Sequence, residues 1–156
     1  MCGIIGISSN KSVSANIINS LKKLEYRGYD SAGIATLSNG IIKEVKSEGR
    51  VDNLEKNFDL KNLSGNIGIG HVRWATHGIP NSINAHPHSS DNVSVVHNGI
   101  IENSTLLKKH LVSKGYFFKS QTDTEVIAHL ITENLKKFEL QEAITKTLKQ
   151  LHGSFA

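Results

Sequence analysis

The chain has 156 residues, 38% hydrophobic and 21% charged, which suits one globular domain with a sizeable core. Its formal charge of +4 comes from scattered lysines such as Lys108, Lys109, Lys136 and Lys137, not from the dense basic run of a nucleic-acid patch, so no nucleic acid is expected as a partner. A single cysteine excludes an internal disulfide framework, and neither a leader pattern nor an apolar run near ~18 residues is present, so a cytoplasmic chain without membrane contact is expected.

Gly3 to Ser8 is a short apolar run and predicts a buried strand that fixes Cys2 at its start. Val13, Ile17, Ile18, Leu21 and Leu24 fall at helical spacing, with Ser12 as expected N-cap and Gly28 as expected stop. Gly33–Leu37 and Ile41–Val45 flank Ser38-Asn39-Gly40, and Asn-Gly between apolar runs is a strong hairpin signal. Residues 46–65 read as irregular, with one helical turn near Leu54. Ile67 to Trp74 alternates with glycine and predicts a strand entering a loop.

Both prolines and three histidines fall within residues 76–92, a long loop. Val93 to His97 predicts a strand that Asn98-Gly99 ends. Three helices follow. The first carries Leu106, Leu107 and Leu111 between Asn103 and Gly115; the second opens on a Thr122-x-x-Glu125 capping box. The third places Ile144, Leu148 and Leu151 on one face, and Ser154-Phe155-Ala156 looks like the start of another strand. Strands with consecutive helices predict an α+β, layered fold.

Cys2 is the chemical focus. If Met1 is removed, the Cys2 thiol and a free α-amine share one residue. That amine has a pKa of roughly 7.7–8.0, so nucleophile and base come covalently linked. Asn98 and the Gly99 N–H suit an oxyanion hole, although on these two residues alone an ordinary Asn-Gly turn is the favoured reading. Arginine is scarce, with Arg27, Arg50 and Arg73 against fifteen lysines. Arg73 beside Trp74 suits a bidentate carboxylate clamp with an aromatic lid, or plain surface charge. Asp123 could hold an ammonium or merely cap a helix. His71, His77, His86, His88 and His97 fall within 27 positions, so a zinc site is an alternative, but neither a thiol ligand nor HExxH spacing accompanies them. A substrate bearing a carboxylate, an ammonium and a carboxamide, such as L-glutamine, would satisfy the whole set.

The stretches MCGIIG, LEYRGYDSAG, GHVRWATHG, NAHPH, VHNGIIEN and SQTDTEVI, in this order and spacing, closely resemble the glutaminase domain of the glutamine–fructose-6-phosphate aminotransferase (glucosamine-6-phosphate synthase) family. This is a class II glutamine amidotransferase domain, and the resemblance covers residues 1–156. It implies an N-terminal-nucleophile hydrolase fold, a four-layer αββα sandwich, here stopping before its C-terminal strands and without the sugar isomerase domains. Uncovered sheet edges and apolar faces are expected in consequence. It implies Cys2 as nucleophile, Asn98 and Gly99 as oxyanion hole, and Arg27 in support. Arg73, Thr76 and His77 would bind the substrate carboxylate, Asp123 and the Gly99 carbonyl the ammonium. Trp74 would close over glutamine, with His86 supportive. No cofactor or metal is implied, and the full-length enzyme is expected to be a homodimer. The alternatives are a catalytically silent fragment or binding module, or the glutaminase domain of another amidotransferase, which RGYDSAG disfavours.

Overall fold

The computed structural model describes residues 2–156, apart from the side chain of Lys61. Met1, and with it the expected processing step, lies outside the described residues. Four antiparallel strands form the main sheet in the order β1-β4-β2-β3: β1 is Gly3–Ser8, β2 Ser31–Ser38, β3 Ile41–Glu48 and β4 Ile67–Arg73. Asn39 and Gly40 both take positive φ (51° and 76°), which matches the twist of the β2–β3 hairpin. The hairpin arms reach Ser31 and Glu48, beyond the local pattern, because β4 pairs with β2 along its length.

Helices α1 (Ser14–Leu24) and α2 (Val51–Asn57) cover one face of this sheet. Val13, Ile17, Ile18 and Leu21 pack with Val51, Leu54, Leu63 and the sheet residues Ala32, Ile34 and Val72. Each large apolar side chain so buried contributes about 1.5–3 kcal/mol. Ser12 does not cap α1: Val13 occupies the N-cap position without a side-chain bond, and the Ser12 hydroxyl turns to Ser14 Oγ at 3.5 Å. Residues 46–65 are more regular than expected, since β3 runs to Glu48, α2 follows, and a short 3-10 turn spans Leu60–Asn62.

The opposite layers hold two short ladders and three helices. Strand β5 (His88–Ser90) pairs with β6 (Val93–Val95), and β7 (Gly99–Ile101) with β8 (Gly153–Phe155). Helices α3 (Ser104–Ser113), α4 (Glu125–Leu135) and α5 (Leu140–Leu148) complete the chain. Ile101, Leu107, Leu111, Val126, Ile127, Leu130 and Leu151 form a second core. The layers therefore follow the expected α+β, αββα order. Asn98-Gly99 is not a hairpin turn, because Gly99 begins β7.

The expected capping box does not form. Thr122 Oγ1 bonds His88 Nε2 at 3.0 Å, while Glu125 accepts from Lys119 N, Ser120 N and Ser120 Oγ. Burial acts to raise the Glu125 pKa, but bonds from His129, Lys119 and Ser120 outweigh it and bring the carboxyl down to about 2. Ile144 and Leu148 are not core residues: they are 38% and 48% exposed, and Ala143 and Thr147 are buried instead. Ile144 lines an apolar trough with Ala35, Leu37, Ile69, Val95 and Leu140. No helix among the described residues is long and apolar enough to cross a membrane.

Candidate active site

Strand register assembles the site. Gly3 lies opposite Val72 and Ser31 opposite Arg73, so Cys2, Asp30 and Arg73 meet at one end of the main sheet. Cys2 is half-buried, and its Sγ accepts the Trp74 N–H at 3.4 Å. Burial pushes the thiol pKa up; the Trp74 bond and the Arg73 charge pull it down, and Asp30 opposes them.

The Arg73–Gly78 loop is held from below and from within. Asp30 accepts from Ala75 N and from Ser31 Oγ, the latter at 2.9 Å. Arg73 is 3% exposed, and its guanidinium donates to the carbonyls of His77, Gly78 (3.2 Å) and Ile79 (3.4 Å). Three hydrogen bonds thus tie the guanidinium to residues 77–79. Trp74 is 49% exposed and meets Tyr29 edge-on, with centroids 5.8 Å apart.

A small cleft is lined by Cys2, Arg73, Trp74, Thr76, His77 and His86, and by His97, Gly99, Thr122, Asp123 and Thr124. Eight of the ten sequence-expected site residues meet there. Asn98 precedes Gly99 and is half-buried but is not among the lining residues. Arg27 also stays outside: it ends the 3-10 turn after α1, with its guanidinium over the Tyr26 ring at 5.1 Å. The turn packs against β4.

Gly99 is fitted to its place. A Cβ there would lie 2.1 Å from the Ser154 carbonyl oxygen, and its φ of 147° favours glycine. Asn98 and Ala156 exchange both backbone bonds, each at 2.9 Å. By antiparallel alternation the next residue, Gly99, turns its N–H and C=O away from β8. Asp123 is 7% exposed and accepts Ile101 N at 2.7 Å through Oδ2.

Sequence reasoning missed Gly28, Asp30, Thr122, His97 and Thr124 as parts of this site. All five lie inside the motif stretches quoted above, which was the available signal. The histidines are committed to hydrogen bonds: His71 to the His97 carbonyl, His86 and His97 to Thr124, His88 to Thr122. Among the described residues, no three His, Cys, Asp or Glu side chains are grouped to hold a metal ion. Larger concavities exist at the apolar trough and beside Phe58, Phe117 and Phe118, but Cys2 lines neither.

Residues 71–156 match the glutamine amidotransferase domain family. The chain belongs to this family. The amidotransferase domain is 54% identical over 157 residues to glutamine–fructose-6-phosphate aminotransferase (isomerizing) of Mesorhizobium japonicum, matching 100% of this chain and 26% of the relative. The corresponding enzyme of Pyrococcus horikoshii is 54% identical over 159 residues, with 100% and 27% covered. The chain thus spans about a quarter of the length of these curated relatives.

Among solved structures, glutamine phosphoribosylpyrophosphate amidotransferase from B. subtilis superposes with a TM-score of 0.85 at 31% identity, covering 100% of this chain and 34% of that one. A structure described as the allosteric regulatory enzyme of purine biosynthesis gives 0.87 at 32%, covering 100% and 34%. The amidotransferase domain accordingly has the expected N-terminal-nucleophile fold.

Proposed function

We propose that residues 1–156 are part of a glutaminase domain that hydrolyses L-glutamine with Cys2 as nucleophile. The observation that carries this reading is the convergence of Cys2, Arg73, Gly99 and Asp123 on one cleft. Arg73, with Thr76 and His77, would take the substrate carboxylate. Asp123 and the Gly99 carbonyl would take the ammonium, which leaves the side-chain carboxamide directed at Cys2.

The thiol adds to the amide carbon while its proton passes to the Cys2 α-amine, freed by loss of Met1. The Gly99 N–H stabilises the developing oxyanion, and Asn98 joins it on a rotation of its side chain; one such donor is worth about 2.7–4 kcal/mol of barrier. The amine returns the proton to the departing nitrogen, and ammonia leaves behind a glutamyl thioester. Water then cleaves the thioester to glutamate and restores the thiol. Trp74 closes the cleft, and His86 supports its floor.

The ammonia would serve glucosamine-6-phosphate synthesis from fructose-6-phosphate, in a longer cytoplasmic, homodimeric protein carrying sugar-phosphate isomerase domains. The similarity to the Mesorhizobium japonicum and Pyrococcus horikoshii enzymes supports this acceptor. Glutamate release by the full-length protein, with accumulation of a thioester in intact-mass spectra, tests the reading. Cys2→Ala is expected to abolish both, and glutamate release persisting in that variant would overturn it.

A further inference from the structure

Two of the residues lining the cleft, His86 and His97, belong with His71 to a group of buried imidazoles to which the reaction above assigns no proton. His71, His86 and His97 are 0%, 5% and 4% exposed, and burial lowers the pKa of each, so all three are neutral rings near pH 7. Thr124, 1% exposed, sits among them. Its Oγ1 lies 2.8 Å from His86 Nε2, 2.8 Å from His97 Nδ1 and 3.4 Å from Asp123 Oδ1.

Donor accounting places the protons. A threonine hydroxyl has one proton and two lone pairs, and a neutral imidazole has one N–H and one bare nitrogen. His71 Nε2 lies 3.0 Å from the His97 carbonyl, which only accepts, so His71 is protonated at Nε2. His86 Nδ1 and His97 Nε2 are buried with no partner among the described residues. If Thr124 donated to either ring, that ring's own proton would sit on the unpartnered nitrogen, as a buried N–H with no acceptor. Orphaned buried N–H groups are rarer than under-satisfied acceptors. One arrangement avoids the orphan: His86 Nε2–H and His97 Nδ1–H both donate to Thr124, filling its lone pairs. The hydroxyl proton is then left for Asp123 Oδ1, while Ile101 N holds Oδ2 at 2.7 Å.

We infer that Thr124 is a positioning residue that aims the Asp123 carboxylate at the substrate cation. The two imidazoles orient the hydroxyl, and the hydroxyl orients Oδ1. Naming that cation as the α-ammonium of glutamine rests on the proposed glutaminase reading. Thr124 touches no reacting atom, so its removal should weaken binding more than turnover.

The test uses the full-length protein and its Thr124→Val and Thr124→Ser variants. Long-range ¹H–¹⁵N spectra of histidine-labelled wild type are expected to show His86 protonated at Nε2 and His97 at Nδ1. Thr124→Val is expected to raise KM for glutamine about tenfold with kcat within about threefold, and Thr124→Ser to restore KM. A proton on His86 Nδ1 or His97 Nε2 in wild type, or an unchanged KM in Thr124→Val, overturns the inference. If wild type hydrolyses no glutamine, the functional reading fails by itself, and the tautomers still decide the role of Thr124.

Discussion

Gly28 is the position where one added methyl should disturb the nucleophile without touching it. A Cβ at residue 28 would lie 2.5 Å from the Arg73 carbonyl carbon, 2.6 Å from its oxygen and 2.7 Å from Trp74 N. The residue is extended (φ −179°), so alanine meets no torsional objection and the conflict is steric alone. To reach ordinary contact at 3.4 Å, the Arg73–Trp74 peptide must retreat by roughly 0.9 Å. That peptide supplies the N–H bonded to Cys2 Sγ and begins the loop that engages the Arg73 guanidinium. Overpacking of this kind costs about 1–3 kcal/mol, or roughly 2–12 °C in Tm for a domain of this size. A displacement near 1 Å at a reacting group costs on the order of a hundredfold in rate. Glutamate release and thermal unfolding of Gly28→Ala measure the two effects. Gly6→Ala is the control, because its Cβ would approach only Ile69 Cγ2, at 3.9 Å. A Gly28→Ala protein with Tm within about 1 °C of wild type and turnover within about twofold would refute the packing argument.

Two further perturbations test the electrostatics. The Cys2 thiol is raised chiefly by burial, with Asp30 adding to the rise, so Asp30→Asn should lower the midpoint of the pH profile for thiol alkylation; an unmoved or higher midpoint would reject that coupling. His71 and His88 are both held at about 3 by burial, against 6.5 when unfolded. The unfolded chain therefore binds their protons first as pH falls, and the stability they lend above pH 6.5 is lost toward pH 3 at about 1.4 kcal/mol per pH unit per histidine. Urea unfolding at pH 7 and 5.5 should show a loss of about 1 kcal/mol per histidine, reduced by one histidine's share in His88→Gln. A flat profile would mean that these rings are not buried as neutral groups.

Features set by neighbours in the chain were legible. Asn39-Gly40 specifies its own turn, the spacing from Val13 to Leu24 specifies an amphipathic helix, and Ser154-Phe155 does form a strand. Misreadings occurred where a side chain had a distant rival partner. Glu125 has the spacing of a capping box, but Lys119 N and the Ser120 N and Oγ, buried beside it, compete for its carboxylate. Ile144 and Leu148 have core periodicity, yet Ile144 lines the trough and Leu148 is 48% exposed. Asp30 lies in a quoted motif, but its bond to Ala75 N is set by sheet pairing 45 positions away and was not legible from spacing.

The sequence by itself determined the candidate nucleophile, the α+β class and most of the cleft's residue types, because Cys2, Arg73-Trp74, Gly99 and Asp123 occur in motifs whose spacing is local. Which of them face one another was decided by tertiary structure. The β1–β4–β2 register brings Cys2 beside Arg73 across 71 positions of chain, and pairing with β8 turns the Gly99 peptide groups outward. Burial, which no local pattern encodes, keeps the imidazoles neutral and makes Thr124 the junction between His86, His97 and Asp123.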